Sequence, residues 1–504
     1  MSFGDPFMSI PREADTQELE SVKIVEESAP TRRAPVWPLL AILVIAFALR
    51  VGIGFERPAS DWPDEVFQSR EPAHRLAYGY GIVPWEWRTG MRSWVFPAVL
   101  AVVMRASDWI ASGSYGYNLG ILLALSALSL TVVWTAYQWG FRVGGVRAAL
   151  IAAWACAVWF DLIYYDPQAL PGMVAIHFLI PGMYFGIFPG SLPVRERTRM
   201  WIAGALLGLA VALRVHFAPG VLVAAVYCCW GDWKKKIGPF AVGAAVPVLA
   251  FGAVDWFTWG KPFASYINYL AMSFSNLFGR GGVGPRIAGI RPAGWYLEQL
   301  AERVGPAAVF IVLAVRRNSS LAAVAAVIIA SHELIAFKHM YVIAPVLPLL
   351  VLLIGLGVAA VSTTMWRKRP VIGSLPGIAL ITLASVLWGM ANSPWTTETD
   401  TLLAFEKLSR RTDACGVGLM TMHWSMSGGY AYLHQDVPIY PVAYEKESAP
   451  SSAYNYIVGD TEPHGFPGYS IRECSGSMCL LERAGGCDPV PEQSINEVLR
   501  RTGH

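Results

Sequence analysis

The residues whose types and spacing could do chemistry are gathered in residues 61–97, DWPDEVFQSREPAHRLAYGYGIVPWEWRTGMRSWVFP. Pro63 followed by Asp64 is a helix start, with Asp64 able to cap free backbone amides and Glu65 favourable in the first turn. A helix from there to about Ala77 puts Asp64, Gln68, Glu71 and Arg75 on one face. Glu71 and Arg75 then stand at pairing distance, i to i+4. This face is either a capped surface helix or one wall of a polar site. The aromatic and glycine-rich run YGYGIVPWEWRTG is dense for a plain connector. Its rings are expected to be platforms for sugar rings or lipid headgroups, or else an aromatic belt at the membrane interface.

The elements that must position these residues are membrane spans. The chain has 504 residues, 54% hydrophobic and 15% charged, and a mean hydropathy of +0.42, which is too apolar for soluble domains of this length. A net charge of +3 gives no reason to expect a nucleic-acid partner. Residues 1–35 are polar, mixed in charge and lack a signal peptide's apolar core, so they read as a disordered cytoplasmic tail. Apolar runs follow near 37–55, 116–137, 147–163, 169–188, 200–214, 217–231, 238–256, 304–315, 319–336, 341–362 and 371–391. About eleven spans are expected.

Basic residues set the orientation. Arg32 and Arg33 precede the first run, and alternate connections carry Arg142 with Arg147, then Arg195, Arg197 and Arg199, then Lys234 to Lys236, then Arg316 with Arg317, then Arg367, Lys368 and Arg369. All fall on the cytoplasmic side under one assignment. Counting 93–111 as a span would invert every later loop, so it is expected to lie as a helix at the outer face. The outer side then collects Asp64 and Glu65, Tyr164 to Asp166, Arg214 and His216, Asp255 to Tyr269, and Lys338 with His339. Ionisable groups cost about 2.5–3.5 kcal/mol each at a helix centre, so their concentration there marks a polar site. His177, His332 and Glu333 lie in apolar runs and read as buried structural partners.

The expected division is a tail at 1–35, a transmembrane domain at 36–392 with a first outer loop at 56–115, and a small mixed α/β domain at 393–504 on the outer side. That last domain holds Cys415, Cys474, Cys479 and Cys487. One or two disulfides are expected, with the three full pairings left open. Cys156, Cys228 and Cys229 lie in spans and read as small core residues.

The ordered run PDEVFQS, E, AH, YGYG, WEW and RSWVFP resembles the first outer loop of glycosyltransferase family 22, the mannosyltransferases that use dolichyl-phosphate mannose. Looser similarity continues through GALLGLAVALRVHFAPG, AVDWFTWGKPFASYINYL, GWYLEQL and LHQDVPIY. There are two departures. Trp62 stands where eukaryotic members have His, and AFKHMYVIAPVLP keeps Lys338 but not the residues that usually flank it.

The resemblance implies the GT-C fold, with hexose transfer, mannose above all, from a polyprenyl-phosphate donor to a hydroxyl of a lipid-linked or otherwise membrane-held acceptor, with inversion. Asp64 matches the family's catalytic base, and Glu65 is expected to orient the acceptor. Arg214, His216, Lys338 and His339 are expected around the donor phosphate. Gln68, Glu71, Trp85, Glu86, Trp87, Arg92 and Asp255 are expected to line the substrates. No Asp-x-Asp motif occurs, so neither a metal, a nucleotide sugar nor any cofactor is expected. The competing classes are a transporter or flippase of lipid-linked sugars and a protein O-mannosyltransferase. The Ala- and Gly-rich composition with short loops leans towards a bacterial inner membrane, with the site on the extracytoplasmic side.

Overall fold

The computed structural model describes residues 35–58, 63–276, 290–361, 369–392, 399–420, 422–442, 449–460 and 466–502. Nearly all of the expected tail, Trp62, Arg367, Lys368 and the start of the expected C-terminal domain lie outside them.

Each of the eleven apolar runs forms helix, because a backbone in hydrocarbon must satisfy its own hydrogen bonds. Among the described residues five helices are long and apolar enough to cross a membrane: Val36–Glu56, Ser114–Val158, Trp233–Trp259, Met340–Val361 and Pro370–Asn392. The runs at 116–137 and 147–163 form one 45-residue helix broken at Gly144 and Gly145, where the backbone leaves helical geometry. The break falls between Arg142 and Arg147, at the connection expected to be cytoplasmic. Shorter helices such as Pro171–Ile187 and Ser319–Glu333 complete the bundle, so a count of eleven full crossings is not fixed by length.

The bundle core contains one buried charge cluster. Arg50, fully buried in Val36–Glu56, donates to Asp166 through Nη2 (2.6 Å) and Nε (3.1 Å), and to the carbonyls of Ala46, Ala157 and Cys156. His177 Nε2 lies 3.3 Å from the other Asp166 oxygen. A buried arginine is tolerable only when paired and hydrogen-bonded in this way. Asp166, expected among the outer polar residues, is thus committed to a structural pair, and His177 is the structural partner its sequence context implied.

Residues after 398 build a five-stranded mixed sheet in the order β2-β1-β3-β5-β4. Here β1 is Val417–Met420, β2 Ile439–Val442, β3 Tyr456–Asp460, β4 Tyr469–Ser475 and β5 Met478–Arg483. β1 runs parallel to β2 and β3, while β5 pairs antiparallel with β3 and β4. Disulfides join Cys415 to Cys487 and Cys474 to Cys479. The second bridges register partners of the β4–β5 hairpin. Cys156, Cys228 and Cys229 are buried thiols.

The sheet does not stand apart from the first outer loop. Val66, Phe67 and Ile82 share one core with Phe405, Leu419, Val458 and Leu480. Glu71 fastens the same contact, accepting backbone N–H groups from Ile82 (2.6 Å), Tyr430 (3.2 Å) and Ala431 (2.8 Å). Gly429 makes this possible: its φ is +57°, and a Cβ there would lie 2.6 Å from Glu71 Oε2. The expected Glu71–Arg75 pair is not what forms, because three fixed amides outcompete a mobile guanidinium. Arg75 instead donates to Gly81 O (3.3 Å). The outer-loop segment is therefore held rigidly from above by the sheet.

Candidate active site

The segment carrying Asp64 and Glu65 begins as expected at Pro63, whose carbonyl accepts Phe67 N–H (2.8 Å). It then winds as a π-helical turn, Val66–Arg70, before the α-helix Glu71–Tyr78. The helix stops at Gly79, whose φ of 95° closes the last turn onto Arg75 O. A π turn inserts one extra residue and is often found at functional sites. Here it separates two directions: Gln68 reaches Glu86, while Glu71 faces the short helix Gly429–Leu433 of the C-terminal domain. The single polar face expected over Asp64, Gln68, Glu71 and Arg75 is split.

Asp64 does not cap its own helix. Its carboxylate accepts from the hydroxyl of Tyr341, 277 residues away in sequence. Burial, followed by the nearby Glu86, pushes the Asp64 carboxyl up to about 6, while Arg92, the Tyr341 hydrogen bond and Arg214 hold it down. Glu86 is bound by Arg92 Nη2 (2.8 Å) and Gln68 Nε2 (3.2 Å). Arg92 and Arg214 both stand over the Tyr269 ring, at 4.9 and 6.0 Å. Gln68, Arg92, Arg214 and Tyr269 line a cleft of about 590 Å³.

Several buried nitrogen atoms here have no partner among the described residues: Arg92 Nε, Arg214 Nε, both ring nitrogens of His216 and His332 Nε2. The His216 ring lies 5.0 Å from Tyr269 and 5.5 Å from His332. His332 Nδ1 is 2.7 Å from Ile328 O, so it donates there and Nε2 is the free edge. Buried polar groups are rarely left unsatisfied, and a cluster of cationic and imidazole nitrogens is suited to an anion. This geometry sets a carboxylate raised towards neutrality near two arginines, Arg92 and Arg214.

The other expected site residues are placed differently. Glu65 is buried, held by Arg70 through Nε (3.0 Å) and Nη2 (2.9 Å) and by Ala169 N–H (3.0 Å), so it anchors the segment. Trp87 is a core residue, its Nε1 donating to Phe67 O (3.2 Å) and its ring packed 4.3 Å from Trp94. Trp85 is half-buried beside it on the short Trp85–Arg88 helix. Asp255 is fully buried and accepts both Ser265 N–H (2.9 Å) and the Ser265 hydroxyl (2.5 Å), closing the turn between two helices. Lys338 lies 3.6 Å from Glu333 and over the Tyr296 ring, outside the cleft. His339 packs 5.2 Å from Tyr341, and its N–H meets Tyr296 OH (3.4 Å). Sequence reasoning missed Tyr341, for which a polar ring at the start of an apolar run was the available signal; Tyr269 was placed only within the outer polar set, and His332 was read as a buried structural partner.

A bundle of membrane helices with this outer-loop segment and a capping sheet defines the class, a membrane protein of the GT-C fold. The fold matches the crystal structure of ArnT from Cupriavidus metallidurans bound to undecaprenyl phosphate, with a TM-score of 0.59 and 11% identity over 90% of this chain and 99% of that one. The chain belongs to the Alg9-like mannosyltransferase family, which it matches over residues 37–415. It is similar to GPI alpha-1,2-mannosyltransferase 3 of Danio rerio, 26% identical over 61% of this chain and 56% of that protein. It is also similar to GPI mannosyltransferase 3 of Yarrowia lipolytica, 48% identical over 65 residues, 13% of each chain. The matches therefore span about half or less of these relatives. Membership of this family sets aside the transporter reading. Because these relatives are eukaryotic, the leaning towards a bacterial inner membrane finds no support; what the helices and the fold carry is residence in a membrane.

Proposed function

We propose that the protein transfers mannose from a polyprenyl-phosphate donor to a hydroxyl of a lipid-linked glycan, of the GPI type named for its relatives, on the extracytoplasmic face. The observation that carries this reading is Asp64, its carboxyl raised to about 6, near a cleft lined by Arg92 and Arg214, each with a buried Nε unpartnered among the described residues. At neutral pH Asp64 is mostly ionised and still basic enough to accept a proton. It takes the proton of the acceptor hydroxyl as that oxygen attacks the anomeric carbon. The bond from that carbon to the phosphate oxygen breaks, and its electron pair leaves with the phosphate. The single displacement inverts the anomeric centre. The donor phosphodiester carries one negative charge and the released phosphate monoester two, so stabilisation of the leaving group falls to Arg214 and Arg92, with His216 able to donate one N–H. Tyr341 holds the carboxylate in position, and Glu65 and Glu71 fix the segment that bears it.

The test is turnover of radiolabelled polyprenyl-phosphate mannose by the full chain in nanodiscs, with a panel of glycolipid acceptors. Labelled glycolipid whose formation depends on the donor is the expected result. Turnover of a nucleotide sugar in place of the polyprenyl donor would contradict the reading.

A further inference from the structure

A second cavity lies on the other flank of the Asp64 segment. One of its walls is polar: Glu65 and Arg70, both buried, with Asn118 and Gln168. Arg70 Nη1 donates to Asn118 Oδ1 (2.9 Å), and Asn118 Nδ2 donates to Ala431 O (3.2 Å), so these side chains are locked. Gln168 is different. It is 4% exposed, and neither its amide nitrogen nor its amide oxygen has a partner among the described residues. A buried primary amide with donor and acceptor both free is unfavourable in an empty protein, and it suits adjacent hydroxyls of one ring, one accepting and one donating.

Another part of the lining is apolar, with Arg57 beside it. Ile53 and Phe55 come from the end of the Val36–Glu56 span, and Leu119 and Leu122 from the start of the Ser114–Val158 helix. The cavity thus opens where two spans leave the hydrocarbon, with Phe55 about half exposed at its lip. A soluble sugar has no use for that wall, whereas a lipid presents a hydroxylated ring and an adjoining chain at this depth.

We propose that this cavity binds the polyhydroxylated head group of a membrane lipid, with the Gln168 amide reading two ring hydroxyls. On the transferase reading above, that lipid is the acceptor, held by a ring remote from the reacting hydroxyl. Donor and acceptor then occupy opposite flanks of one rigid segment.

Phosphatidylinositol is a suitable probe, with phosphatidylserine as a control of equal charge that lacks the ring. Native mass spectrometry of the full chain in mixed micelles reads the preference between them. The wild type is expected to retain phosphatidylinositol over phosphatidylserine, and Gln168→Leu to lose that preference by about tenfold or more. Gln168→Leu removes an unpartnered amide, so its melting temperature should not fall. Leu119→Trp fills the cavity from an apolar position while leaving Gln168 in place, and should abolish retention independently. Equal retention of both lipids by the wild type, undiminished preference in both variants, or equal competition by free myo-inositol would overturn the proposal. Mannose turnover is measured on the same preparations. Gln168-dependent lipid retention without turnover would leave this site standing and remove the transferase reading, while turnover with unaltered retention would do the reverse.

Discussion

At the scale of the residue, the account rests on what surrounds one carboxylate. Asp64 is raised to about 6 by burial and Glu86 and is restrained by Arg92, Tyr341 and Arg214, so each neighbour makes a signed prediction. The base must be ionised, so kcat/KM should fall about tenfold per pH unit below about pH 6. Tyr341→Phe removes a hydrogen bond that favours the charged form. The acid limb of the pH profile should therefore move to higher pH, as a pH series on both proteins would show. An unmoved limb would mean that the tyrosine does not touch the titrating group. Arg214→Gln should raise the donor KM, because one of the few cations facing the cleft is lost, and should shift the same limb upward. Little of this was legible beforehand. Asp64, Glu86, Arg92, Arg214 and His216 stood out as polar residues at predicted outer ends, but the Tyr341 contact spans 277 residues, and periodicity carries no information at that range. Trp87, Glu71 and Asp255 were expected, from the family resemblance, to line the substrates. Burial assigns them to structure, because each has a fixed backbone or side-chain partner that its own sequence neighbourhood does not show.

At the scale of the element, the π turn Val66–Arg70 and the clasp at Glu71 decide how the site is held. Removal of the Glu71 carboxylate leaves three buried N–H groups unpaired, and Glu71→Ala should cost about 3 kcal/mol or more in thermal stability. Burial raises the Glu71 carboxyl to about 7 from an ordinary value of 4.5. Its protonated form is therefore favoured by folding. The contribution is fully present below about pH 4.5 and is lost as pH rises through about 7. Melting temperatures of wild type and Glu71→Ala should converge as pH rises across that window, and a constant difference would contradict the assignment. The disulfides also differ in weight. Cys415–Cys487 closes a separation of 72 residues and Cys474–Cys479 one of 5. Chain entropy then predicts about 4 kcal/mol for the first and about 2 for the second, so Cys415→Ser should lower the melting temperature more than Cys474→Ser. The four cysteines and their domain were legible from composition. The pairing was not, because it depends on the register of β4 with β5 and on where the chain returns after Arg483.

At the scale of the whole molecule, the apolar runs announced the helices well, because a twenty-residue apolar segment has few other ways to satisfy its backbone. They announced crossings less well. Ser319–Glu333 has 15 residues and Pro171–Ile187 has 17, short of a full bilayer unless the membrane thins or neighbouring helices shield their ends. The charge pattern still predicts that residues 56–115 and 394–504 share one side. The shared core of Val66, Phe67, Leu419 and Val458 supports that, since it joins the first outer loop to the C-terminal sheet. Cysteine substitutions at Arg75 and Arg472, both exposed, should be labelled from the extracytoplasmic face alone. Labelling of either position only from the cytoplasm would reverse the orientation.

The most direct test of the central claim is mannose turnover by Asp64→Asn, measured against wild type on matched amounts of folded protein in nanodiscs. Asparagine keeps the size of the side chain and can still accept from Tyr341, so folding and donor binding should persist. Loss of the proton acceptor should lower turnover by about 10²- to 10⁴-fold. Turnover within a few-fold of wild type would make Asp64 a structural partner of Tyr341 and leave the proposed reaction without its base.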